Sequence, residues 1–219
     1  MSPYVNIHTH SCKHTDIEIQ NIDVDNFVNV DVSHFYSMGI HPWNAEDPDC
    51  EKRFSSLENI ITNKQILAVG ECGIDRVCNS DFETQKYYFI KQIEISEQYQ
   101  KPLIIHCVRA YPDIISIRKE TRAKQPWIIH GFQGNEQSVE QLLRHENIYL
   151  SLGDVLLKNK CKAQRLLEII PLDRLFLETD TADISIGCIY EIASVLSDIK
   201  SDVLRDNIFN NFGKIFGHI

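Results

Sequence analysis

The sequence predicts an α/β chain folded as a compact, distorted (β/α)8 barrel whose second element is reduced. Three observations carry that expectation. Short apolar runs alternate with amphipathic helical patterns along the whole chain. The first run ends in His8-Thr9-His10, where a doubly wound open sheet would place a glycine-rich turn. Polar residues recur at the end of each run, where a parallel barrel gathers side chains at one mouth. A length of 219 residues fits one domain, taken as residues 1–219.

The strand candidates, in order, are YVNIH (4–8), SMGI (37–40), ILAVG (66–70), PLIIH (102–106), WIIH (127–130), IYLSL (148–152) and RLFLE (174–178). They are rich in β-branched and aromatic residues and short enough for buried parallel strands. An eighth must come from residues 16–35, where IEIQNID and FVNVDVS alternate like a half-exposed strand pair. Helices are expected over 83–100, with Phe89 and Ile93 on one stripe, and over 135–146, with Val139, Leu142 and Leu143. Two more follow at 187–199 (Ile189, Ile192, Ala193, Leu196) and 202–216 (Leu204, Ile208, Phe212, Ile215).

The composition excludes several classes. Acidic residues outnumber basic ones 31 to 22, a net charge of −9, which opposes an extended basic surface for wrapping nucleic acid. Gripping a single phosphate through metal ions remains open. The 24% charged and 43% hydrophobic fractions exclude disorder. No apolar run approaches the ~18 residues of a spanning helix. MSPYVNIHTH lacks a basic region followed by an apolar core, so a cytoplasmic protein is expected. Seven cysteines without a CxxC pair fit reduced thiols.

His8 and His10, two apart, share one strand face; Glu71 follows LAVG, His106 follows LII, His130 follows WII, and Asp180 lies just past FLE. Any one alone reads as a hydrogen-bonded histidine or a helix-capping carboxylate. Four imidazoles and two carboxylates converging on one mouth are costly to desolvate, and a divalent metal removes that cost. Imidazole and carboxylate without thiolate suit Zn²⁺, Mn²⁺ or Mg²⁺. Six ligands exceed the usual three of a catalytic zinc, so two ions about 3.5–4 Å apart are expected. His8, His10 and Asp180 take one, His106 and His130 the other, and Glu71 bridges. Asp180 doubles as the catalytic base.

His41, before Pro42, reaches a substrate phosphate or leaving oxygen, or else steadies a turn. Arg109 grips phosphate or pairs with a carboxylate. Glu178 and Asp75 orient ligand histidines through their free N–H groups. His14, His34, His145 and His218 read as surface or packing residues. Cys72 and Cys107 face away from the site by strand alternation.

The ordered motifs HTH (8–10), GIHPW (39–43), VGECGID (69–75), QKYYFIKQIEISEQYQKPLIIHCVRA (85–110), HGFQG (130–134), LETD (177–180) and a closing NNFGKIFG resemble those of the TatD-related metal-dependent hydrolases, over residues 4 to about 217. That resemblance implies a TIM-like barrel of the amidohydrolase superfamily, a divalent-metal centre and phosphodiester hydrolysis, commonly as a deoxyribonuclease. It implies metal positions at His8, His10, Glu71, His106, His130 and Asp180. Two departures touch the mouth: the segment between His10 and His41 is short, and Thr181-Ala182-Asp183 replaces a proline-containing stretch after LETD. The expected partner is a DNA end or a small phosphoester, with no membrane and no obligate protein partner. Rival readings are an amidohydrolase-type enzyme on a small-molecule ester or C–N bond, and a non-catalytic metal-binding protein, which the intact ligand set disfavours.

Overall fold

A computed structural model describes residues 2–11, 13, 16–29, 31 and 33–217. Among them the strands are β1 (Val5–Thr9), β2 (Ile17–Asn21), β3 (Phe35–Met38), β4 (Ile66–Asp75), β5 (Leu103–Val108), β6 (Trp127–Ile129), β7 (Ile148–Leu152) and β8 (Leu175–Leu177). The helices are α1 (Cys50–Ile60), α2 (Phe82–Tyr99), α3 (Tyr111–Thr121), α4 (Glu136–Leu143), α5 (Asp154–Lys158), α6 (Lys160–Ile169), α7 (Ile186–Ser197) and α8 (Ser201–Phe216). The sheet runs β1 to β8 in chain order, the topology of a (β/α)8 barrel. No helix among the described residues is long and apolar enough to cross a membrane.

The helix starts follow from local chemistry. Asp81 accepts the Thr84 N–H, Asn135 that of Ser138, Asn159 that of Lys162 and Ser185 that of Cys188, each satisfying an orphan donor of the first turn. The register slips between Asn6 and Thr9, between Tyr36 and Ser37, and between Val69 and Cys72, which is the expected distortion in physical form.

The chain divides into two compact units, residues 1–20 with 129–219, and residues 21–128. In the first, β1 pairs with β2, β7 pairs with β8, and the bridge Thr9↔Asp180 joins the last strand's end to the first's. Tyr190 of α7 is fully buried, and its hydroxyl donates to the Val5 carbonyl at 3.0 Å. Asn211 of α8 donates to the carbonyls of Leu172 and Leu175.

In the second unit, β3 pairs with β4 and β4 with β5. Helix α2 holds these strands through two buried glutamines. Gln92 brackets Ile40, accepting its N–H at 2.7 Å and donating to its carbonyl at 3.2 Å. Gln85 does the same for Asp75, at 2.8 and 3.2 Å. Both the residue before His41 and the end of β4 are thereby pinned from behind.

One expectation is corrected. Residues 16–35 do not form a half-exposed strand pair: IEIQN is a single parallel strand, and Val24–Asn29 is a 3-10 helix. The cause is turn chemistry. The Asp23 carboxylate accepts the Asp25 N–H at 3.1 Å and its carbonyl accepts the Asn26 N–H at 2.9 Å, which starts a helical turn where the alternation suggests a strand. The second element is reduced, with no α-helix between β2 and β3 among the described residues. Residues 30 and 32 of FVNVDVS, together with Cys12, His14 and His218, lie outside the described residues.

Candidate functional site

In the first unit, the main chain sets the geometry. Asp180 N–H donates to the His8 carbonyl at 3.1 Å and His10 N–H donates to the Asp180 carbonyl at 3.0 Å, so the end of β8 is stitched across both histidines. Asp180 has φ 51°, a left-handed conformation that Asp tolerates and most residues do not. Its Oδ1 lies 3.7 Å from His8 Nε2 and 3.5 Å from His10 Nε2. These separations are long for hydrogen bonds. They suit ligands sharing one ion, which at bonds of about 2.0–2.2 Å stand up to ~4.4 Å apart.

His8 is fully buried and its ring lies 4.2 Å from that of His130. Behind His130 sits Glu178, also fully buried, whose Oε1 accepts the Gly131 N–H at 2.6 Å and lies 3.6 Å from His130 Nδ1. Burial alone would raise the Glu178 carboxyl, but hydrogen bonding and charge from His130, then the charge of His8, hold it below its ordinary value.

A polar network that sequence reasoning missed backs this cluster. Buried Asn6 donates to Thr179 Oγ1 at 2.9 Å and to Glu18 Oε1 at 3.3 Å, and accepts the Thr179 N–H at 3.0 Å. The signal was available: Asn6 precedes His8 by two on the same strand face, where an apolar residue would be ordinary.

In the second unit, Glu71, Asp75, His41 and His106 meet. Glu71 Oε1 stands 2.7 Å from His106 Nδ1 and 3.2 Å from His41 Nε2, and His106 Nε2 stands 3.0 Å from Asp75 Oδ2. Two carboxylates thus bracket one imidazole, and a neutral ring donates to only one of them. With the proton on Nε2 toward Asp75, the Nδ1 lone pair and the Glu71 oxygen face each other, both within reach of His41 Nε2. The Asp75 carboxyl, which burial alone would raise, is held below its ordinary value by the Trp43 indole N–H, the Val77 N–H and His106. Asn21 Oδ1 accepts the Glu71 N–H at 2.9 Å, so the end of β2 also positions this carboxylate.

His41 differs from the other histidines. The Trp43 backbone N–H donates to its Nδ1 at 3.1 Å, which places the proton of the neutral ring on Nε2. That N–H points at Glu71 and at His106 Nδ1, 3.3 Å away. His41 therefore presents a donor rather than a lone pair.

The groups His8–His10–Asp180 and His41–Glu71–His106 each bring their nitrogen and oxygen atoms within 4.8 Å of one another, with His41 offering an N–H and the others lone pairs. Arg109, exposed at the end of β5 with φ 52°, belongs to neither cluster. His34 pairs with Asp31 at 3.5 Å, and the His145 carbonyl accepts from Arg174, so both serve the scaffold. Cys72 and Cys107 are buried, and burial pushes both thiols up.

Comparison with known proteins gives the family and the fold. The family described as TatD related DNase matches residues 5–217. An uncharacterized metal-dependent hydrolase of Buchnera aphidicola is 29% identical over 208 residues, covering 83% of this chain and 76% of that protein. The 3'-5' ssDNA/RNA exonuclease TatD of Erwinia tasmaniensis is 33% identical over 147 residues, covering 65% of this chain and 56% of its own length. The crystal structure of YjjV, a TatD homologue of Escherichia coli, superposes with a TM-score of 0.84 at 17% identity, over 99% of this chain and 98% of that one. The strand order, the donor clusters at the strand ends and these likenesses place the chain in the TatD-related DNase family of metal-dependent hydrolases.

Proposed function

We propose that the chain is a phosphodiesterase acting on DNA strand ends with two divalent ions. The observation that carries this reading is that each unit holds a metal-type donor set, His8–His10–Asp180 in the first and Glu71–His106 beside the His41 N–H in the second. His8, His10 and Asp180 would hold one ion, Glu71 and His106 would serve the other, and His130, backed by Glu178, would be the remaining ligand. Divalent ions held there would supply Lewis acidity, acidifying a water toward neutral pH and polarising a phosphoryl oxygen.

The chain's own groups do the rest. Asp180, 27% exposed, accepts a proton from the attacking water. His41, its tautomer set by the Trp43 N–H, donates from Nε2 to a phosphoryl or leaving oxygen. Asp75 holds the His106 ring in the tautomer that offers Nδ1. Arg109 stands ready for a further phosphate. The Erwinia relative's name, an exonuclease on single-stranded DNA and RNA, supports the substrate class.

The test is incubation with end-labelled single-stranded DNA and RNA, circular DNA and a panel of esters and amides, under Mg²⁺, Mn²⁺ or Zn²⁺. The expected result is digestion of linear strands from an end, abolished by chelator and restored at two equivalents of metal. Cleavage of the ester or amide panel alone would move the chain to the small-molecule reading.

Asp75→Asn should leave the fold intact and weaken metal binding by roughly 10- to 100-fold, the ordinary cost of losing a group that orients a ligand histidine. Metal titration by calorimetry checks this; unchanged affinity would remove Asp75 from the role.

A further inference from the structure

The side chain of Trp43 is 63% exposed, an unusual place for the largest apolar side chain. It is nonetheless held still. Its indole N–H donates to Asp75 Oδ2 at 2.7 Å, its backbone N–H donates to His41, and its carbonyl accepts from Ser80 Oγ at 3.2 Å. The rings of His41 and His106 approach it nearly at right angles, with centroids 4.9 and 6.0 Å away, so neither stacks on it. Beside it lies an open groove of about 310 Å³ lined by Val77, Cys78, Asn79 and Ser80, with Val77 itself 59% exposed.

An exposed ring tethered through its indole N–H on a backbone held at two further points, with its neighbours edge-on and an open groove alongside, is ready to receive a flat partner. Its indole N–H touches the same carboxylate that orients His106, so a partner resting on the ring lies next to the Glu71–His106 cluster. Aromatic platforms take any base, because every base has a π-face.

We propose that Trp43 is a stacking platform for a nucleobase of the strand being cleaved, and hence a positioning residue for the neighbouring phosphate. The proposal rests on the nucleic-acid reading above. It also explains how an acidic protein grips a strand: stacking requires no cationic surface, so a net charge of −9 does not oppose it.

The chain has two tryptophans, and Trp127 is fully buried, so quencher-accessible emission reports Trp43. The metal-loaded protein is titrated with hydrolysis-resistant phosphorothioate oligothymidylate and with an abasic strand of the same length and charge. Oligothymidylate should quench Trp43 and shield it from acrylamide, and the abasic strand should do neither and bind roughly 5- to 150-fold more weakly. W43F and W43A both lose the hydrogen bond to Asp75, but only W43A loses the ring. W43F should keep most of the preference for the base-bearing strand, and W43A should bind the two strands equally.

Equal binding of both strands by the wild type, or a preference surviving in W43A, overturns the platform while leaving the nuclease reading in place. If neither strand binds, the nuclease reading falls, and adenosine monophosphate decides the platform. Shielding of Trp43 from acrylamide by the mononucleotide upholds a base subsite, and absence of shielding overturns it.

Discussion

Asp180→Asn is expected to lower kcat by roughly 10² to 10⁴, the share ordinarily carried by a general base, with little change in melting temperature. The substitution is informative because the backbone there is left-handed, at φ 51°, and asparagine adopts that conformation as readily as aspartate. The main-chain bonds to His8 and His10 persist, so what disappears is the carboxylate charge facing both imidazoles. Steady-state kinetics at saturating metal, beside a thermal melt, measure the two effects separately. Turnover within a few-fold of wild type would remove Asp180 from proton transfer.

Gly73→Ala is expected to cost the fold about 3–5 kcal/mol, summing the strain of a glycine-only conformation and overpacking. Gly73 has φ +141°, and a Cβ there would stand 2.1 Å from the carbonyl oxygen of His106, its partner across β4 and β5. Relief requires His106 to move, so metal binding should fall along with stability. At this chain length the melting temperature should drop by about 10 °C or more. Gly213→Ala is the control: nothing lies within 4 Å of its Cβ, and in a helix interior alanine should stabilise by about 0.5–1 kcal/mol. A Gly73→Ala melt matching that control would show that β4 and β5 separate at little cost.

The strand ends were legible because two signals coincide there. An apolar run of four or five residues marks a buried strand, and the first polar residue after it has few reasons to be His or Glu unless it faces a site. The polar residues that work from behind were not legible. Gln85 and Gln92 look like the solvated face of α2, yet both are buried and hold Asp75 and Ile40 by the backbone. Nor does periodicity report the 3-10 turn at Val24–Asn29, because a single aspartate side chain outweighs a weak alternation. Helices α1, α3, α5 and α6 were not delimited in advance. Charges crowd the α1 pattern, Pro112 opens α3, and α5 has only five residues. Trp43 stood inside a motif, but only the folded chain reveals that its ring is both exposed and tethered.

The burial of Cys72 and Cys107 bears on which ions the protein accepts. Each follows a candidate ligand, Glu71 and His106, by a single residue, and neither joins a metal-type cluster among the described residues. Their thiols stay protonated deep in the packing. The donors offered are therefore imidazole nitrogen and carboxylate oxygen alone, a hard-to-borderline set. Copper(I), which seeks thiolate and thioether, finds no soft ligand in these clusters. One step along a strand separates a donor set of nitrogen and oxygen from one that would hold a thiophilic poison.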